Sequence, residues 1–113
     1  MVTDVVDGGV AVSDLGIVST GCVYHACWTL PVDGGVMVTA SHLAMPTYNG
    51  FKMCRGTLPL AGEEIQELKD VFLQGNFREG TGQIVDTPHL ETYLDAIIES
   101  TGPVTRSVKV AVD

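Results

Sequence analysis

A serine hydroxyl, an imidazole and a lysine amine fall within one short stretch of the chain, at Ser41, His42 and Lys52, with Asn49 and Gly50 just ahead of the lysine. A serine oxygen can take up a transferred group, a histidine can move protons near neutral pH, and a lysine supplies a compact positive charge. Two common uses of such residues fit poorly. Ser41 and His42 are neighbours, and neighbours on an extended strand point to opposite faces, so His42 is badly placed to act as base to Ser41. The sequence also has no Gly-x-Ser-x-Gly elbow, which weighs against a hydrolase. A zinc site built on Cys22, His25, Cys27 and Cys54 fails on geometry as well. On a helix Cys22 and Cys27 would lie about 140° apart, so their thiols do not converge.

The elements that must position Ser41 can be read on either side of it. Gly34 and Gly35 make a turn into Val36-Met37-Val38-Thr39-Ala40, an apolar, β-branched run that reads as a buried strand. It delivers Ser41 and His42 to its carboxyl end, where open α/β sheets place their ligands. Upstream, Val10-Ala11-Val12 and Gly16-Ile17-Val18 surround a loop at Ser13-Asp14. Ser19 or Thr20 caps a helix running through Val23, Tyr24, Cys27 and Leu30, and Pro31-Val32-Asp33 ends it. Downstream, Gly50 to Cys54 reads as a strand. A helix follows from about Gly62 to Leu73, with Ile65, Leu68 and Phe72 on one face, Glu63 and Glu64 in its first turn, and Gly75 at its end. The link Gly80-Thr81-Gly82 leads to a second helix from Thr87-Pro88, with the stripe Leu90, Leu94, Ile97 and Ile98. Gly102-Pro103 breaks it, and Val108 to Val112 reads as a final strand.

Val38-Thr39-Ala40-Ser41-His42, a loop, and then Asn49-Gly50-Phe51-Lys52 resembles the active-site loop of the α-D-phosphohexomutases, the phosphomannomutase and phosphoglucomutase family. The flanks agree. Asp14 to Thr20 resembles the family's preceding strand and turn, Gly62-Glu63-Glu64-Ile65 its following helix, and Lys109 to Asp113 the strand that opens its second domain. The resemblance implies a small three-layer α/β/α unit with a mixed sheet, like a shortened first domain of that family. Residues 1–82 would form the domain I-like segment with the phosphoserine loop, and 83–113 the helix and strand that link to domain II.

By the same resemblance Ser41 carries the transferred phosphoryl group, and its phosphate is one ligand of a magnesium ion held mainly by other parts of the complete enzyme. His42 stands beside the phosphoserine. Lys52 moves a proton at the sugar hydroxyl or contacts the sugar phosphate, and Asn49 adjoins the substrate while shaping the turn. The implied substrate is a hexose phosphate. The family commonly has Ser-His-Asn-Pro-Pro or Ser-His-Leu-Pro here, whereas Leu43-Ala44-Met45-Pro46-Thr47 follows His42. It also commonly has proline where Gly21 stands. The family strand that carries an active-site arginine has no match, and neither do the later domains. The expectation is therefore a segment that lacks turnover alone and either self-associates or meets a chain supplying the other domains. A second reading is a non-catalytic α/β scaffold for self-association or partner binding.

A formal charge of −8 with six Lys and Arg argues against nucleic acid or an anionic membrane as partner. No apolar run approaches the roughly 18 residues of a membrane span, and Met1-Val2-Thr3-Asp4 does not open like a secretory leader, so the expected compartment is cytoplasmic. Three cysteines in apolar surroundings read as reduced structural thiols. A chain of 113 residues can bury roughly 65% of its unfolded surface, enough for one modest core.

Overall fold

In the computed structural model, residues 2–40 and 47–112 are described. The elements run α1 (Val2–Asp7), β1 (Ala11–Asp14), α2 (Thr20–Thr29), β2 (Gly34–Thr39), β3 (Gly50–Arg55), β4 (Leu58–Pro59), α3 (Glu63–Gln74), β5 (Gln83–Asp86) and α4 (Leu90–Thr101). The fold is α/β, with both parallel and antiparallel pairing divided between two sheets. β1 and β5 pair in parallel, Ala11 opposite Gln83 and Asp14 opposite Asp86. β2, β3 and β4 form an antiparallel sheet in chain order.

Helix α2 is the element around which the rest gathers. It starts where Ser19 Oγ accepts from the Cys22 N–H at 3.3 Å, which satisfies one of the donors a helix start leaves open. It ends before Pro31, whose ring cannot continue a helix. Its inward side carries Cys22, Val23, Ala26 and Cys27, all buried, and Cys54 of β3 completes this small core. Cys27 Sγ and Cys54 Sγ lie 3.3 Å apart, and Cys54 Sγ also reaches the Gly35 carbonyl at 3.6 Å. All three cysteines are free thiols. Burial, and then the contact with Cys54, push the Cys27 thiol up to about 11, so it is protonated and unreactive near neutral pH.

Gly35 is what lets α2 come this close to β2. A Cβ at that position would sit 2.6 Å from Cys27 Sγ and 3.3 Å from Cys54 Sγ. Real side chains do not tolerate the shorter contact, so helix and strand would have to separate.

Several expectations meet a different structure. The strand that precedes Ser41 in the chain is half-buried rather than buried: it is an edge strand, α2 covers one of its faces, and Val36 and Val38 on the other are exposed. The run from Val108 to Val112 forms no strand. It follows α4 as exposed irregular chain, because a β-branched run without a neighbouring edge has nothing to bond. α1, β4 and β5 went unread. The last helix begins at Leu90, with His89 as its cap residue, rather than at Thr87-Pro88. Its stripe of Leu90, Leu94, Ile97 and Ile98, and the Ile65, Leu68 and Phe72 face of α3, stand exposed. The α3 boundaries agree with the reading, and Gly75 closes that helix in the left-handed conformation, φ 69°.

Gly35→Ala tests the close approach. At an open strand position the change would stabilise the fold by up to about 1 kcal/mol. Here overpacking against Cys27 should destabilise it by about 1–3 kcal/mol, read as a lower urea midpoint. An unchanged or higher midpoint would contradict the packing.

Candidate active site

β2 and β3 pair along six positions, from Gly34 opposite Arg55 to Thr39 opposite Gly50. Thr39 is the last residue of β2 and Gly50 the first of β3, so the ladder brings the two ends of the intervening segment, 40–49, face to face. Gly50 fits there because a Cβ would meet the Thr39 carbonyl at 3.0 Å. Ser41 and His42 lie in this segment but outside the described residues, as do Leu43 to Pro46. The described frame fixes the strands on which they depend.

Lys52 stands on β3 directly opposite Met37. Partners in an antiparallel pair share a face, and faces alternate along a strand, so Lys52 shares the face of Cys54 and Gly35. Cys54 lies at the buried end of that face. Lys52, two residues nearer the 40–49 segment, is exposed and has no carboxylate partner among the described residues. An unpaired ammonium beside the mouth of the segment is free to meet an anion. Asn49, immediately before β3, is exposed too. The ladder thus places Lys52 near the end of the serine-bearing segment, whose last residue is Asn49. Arg55, at the far end of β3, holds Glu64 of α3 at 3.6 Å, an exposed pair worth less than about 1 kcal/mol.

The model of the phosphoglucomutase/phosphomannomutase alpha/beta/alpha domain I matches residues 2–79. The chain belongs to this family. It is 34% identical to the phosphomannomutase/phosphoglucomutase of Pseudomonas aeruginosa over all 113 of its residues. It is 38% identical over 99 residues, 78% of the chain, to the phosphomannomutase of Vibrio cholerae. A phosphoglucomutase of Neisseria meningitidis serogroup A is 45% identical over 82 residues, 65% of the chain. These alignments take in 24%, 21% and 18% of the respective relatives, so the chain spans about a quarter of their length or less.

Set beside the phosphohexomutase pattern, two features of this chain were not legible in its sequence. Gly21, where the family commonly has proline, lies against the Tyr93 hydroxyl of α4, in the space a Cβ would need. The residue type there is set by a contact 72 positions away rather than by helix propensity alone. His25 and His89 meet between the same two helices. Among the described residues no group of three or more His, Cys, Asp or Glu gathers to hold a cation. The described residues therefore do not by themselves form a magnesium site. No described helix is long and apolar enough to cross a membrane.

Proposed function

We propose that this chain is the phosphoryl-accepting segment of a phosphohexomutase, acting on a hexose phosphate in the cytoplasm. The observation that carries the reading is the β2–β3 ladder. It gathers the ends of the serine segment and sets the unpaired Lys52 beside them, in a chain of the phosphoglucomutase/phosphomannomutase family. In the reaction the phosphoryl group on Ser41 passes to the free hydroxyl of a hexose monophosphate, the bond from phosphorus to Ser41 Oγ breaking as the bond to the sugar oxygen forms and the hydroxyl proton ending on Ser41 Oγ, which gives a bisphosphate. Ser41 Oγ then takes the phosphoryl group from the other end of the same sugar, its proton passing to the released sugar oxygen, so that the phosphate has moved between C1 and C6 and the phosphoserine is restored. Lys52 supplies positive charge to the transferring group or the sugar phosphate, His42 stands beside the phosphoserine, and Asn49 borders the substrate. Magnesium, where bound, would add charge neutralisation at the phosphoserine.

A division at 82/83, with a domain I-like segment followed by a linking helix, is consistent with a family match that ends at residue 79. On its own the chain should have no measurable turnover, because the described residues lack a cation site and the curated relatives are about four times as long. A chain supplying the remaining domains would be its partner in catalysis.

The test is intact mass and peptide mapping after incubation with glucose 1,6-bisphosphate. The expected result is one phosphate, on Ser41 and absent from Ser41→Ala. Lys52→Ala should slow its appearance on the order of tenfold, a loss of about 1.4 kcal/mol of charge stabilisation. A folded protein that stays unphosphorylated would overturn the proposal.

The exposed faces of α3 and α4 favour a second reading, a non-catalytic scaffold that self-associates. Ile65, Leu68, Phe72, Leu94 and Ile98 all stand uncovered, and apolar faces of this kind commonly mark interaction surfaces. Sedimentation at high micromolar concentration should find a dimer or larger species, and Phe72→Glu should shift it toward monomer. A monomeric wild-type protein would count against self-association.

A further inference from the structure

His25 of α2 and His89 at the start of α4 are 64 positions apart in the chain, yet His25 Nδ1 lies 2.9 Å from His89 Nε2. Their ring centroids are 5.0 Å apart. Neither residue has a part in the phosphoryl transfer proposed above. Thr29, one turn after His25, settles which nitrogen donates. Its hydroxyl gives its one proton to the His25 carbonyl at 2.8 Å, so toward His89 Nε2, at 3.2 Å, it can only accept. His89 Nε2 therefore carries a hydrogen, shared between Thr29 Oγ1 and His25 Nδ1. His25 Nδ1 is the bare nitrogen, an assignment that follows from the network.

We infer that the His25–His89 contact is an acid-labile clasp, holding α4 against α2 while one of the two facing nitrogens is unprotonated and releasing it when acid protonates both rings. One proton can still be shared between the rings, since a neutral His89 can carry its hydrogen on Nδ1 and accept at Nε2, but with both protonated two N–H groups face each other at 2.9 Å and the acceptor is gone. The surroundings offer little compensation. His89 is 4% exposed. The other titratable groups of the two helices are Cys22, Tyr24 and Cys27 on α2, and Glu91, Tyr93, Asp95 and Glu99 on α4. Of these the Tyr93 ring lies against His25, at 5.6 Å between centroids. Glu91 and His89 both line an open cleft of about 410 Å³, together with Leu15, Ile17 and Val18. No carboxylate hydrogen-bonds either imidazole among the described residues, so a second positive charge would go unpaired.

A shared metal is a poorer account, since no third ligand gathers with the two histidines among the described residues. Burial, and then the neighbouring His25, hold His89 below its ordinary value of 6.5. The folded state thus binds protons less readily than the unfolded chain. The contribution of a neutral His89 is complete above about pH 6.5 and is lost as the pH falls through its lowered value.

NMR spectra of the histidine rings and of the α2 and α4 amides, recorded from about pH 7.5 to about pH 5, test the clasp across the range in which histidines titrate. In the wild type the α4 amides should shift in step with the second of the two rings to gain its proton and lose at least about tenfold of their exchange protection at the acid end. His25→Gln keeps a carbonyl acceptor for His89 Nε2 but cannot titrate in this range, so its α4 amides should hold still. His25→Ala should show the released α4 spectrum at every pH; if it fails to fold, His25→Gln decides alone. Wild-type α4 amides that stay fixed across the range, or a His25→Gln protein that shifts as the wild type does, would overturn the inference.

Discussion

The packing of Cys27 and Cys54 over Gly35 is the constraint on which the described structure depends. Two thiols 3.3 Å apart, one on α2 and one on β3, can be buried together because the strand between them presents no side chain. The contact joins three elements that are separate in sequence, and the buried apolar residues cluster around it. Cysteine suits this place as a small, weakly polar side chain that packs as a hydrophobe. Burial keeps Cys27 protonated, so what the pair contributes near neutral pH is packing and a weak S–H donor rather than a nucleophile.

From that packing follows the placement of the functional segment. With β2 held against α2 and β3 held in register with β2, Thr39 and Gly50 face each other and residues 40–49 must leave and return at one point. The same register puts Lys52 on the core-facing side of the sheet, beyond the buried thiols and open to solvent. A structural residue, Cys54, and a candidate functional one, Lys52, thus share a strand face two positions apart. The fold changes from core to site within one pleat repeat.

Much of this was legible because its signals are local. The Ser19 cap, the stop at Pro31, the strand from Gly50 and the helix closed by Gly75 each depend on residues within a turn of one another, whereas Gly34 and Gly35, read as a turn, are already the first two residues of β2 and pair with Arg55 and Cys54. What failed to be legible depends on distant partners. β5 exposes all four of its residues, so no alternation announces it, and it exists because β1, some seventy positions earlier, offers a parallel edge. Val108 to Val112 shows the reverse: strong strand propensity, yet it pairs with none of the described strands. Gly21, noted in the sequence only as standing where the family commonly has proline, is the position at which α4 brings its Tyr93 hydroxyl against α2. For the site, Lys52 and Asn49 were marked by the family resemblance, whereas His25 and His89 carry no common motif and meet through the packing of α4.

Native-state hydrogen exchange, followed amide by amide, tests most directly whether the thiol-centred packing of α2, β2 and β3 holds the structure together. The hydrogen-bonded amides of these three elements should exchange last and with matching free energies, as one cooperative unit, while those of α3 and α4 open earlier. Amides of α3 or α4 that outlast those of β2 and β3, or β2 and β3 opening independently of α2, would contradict the account.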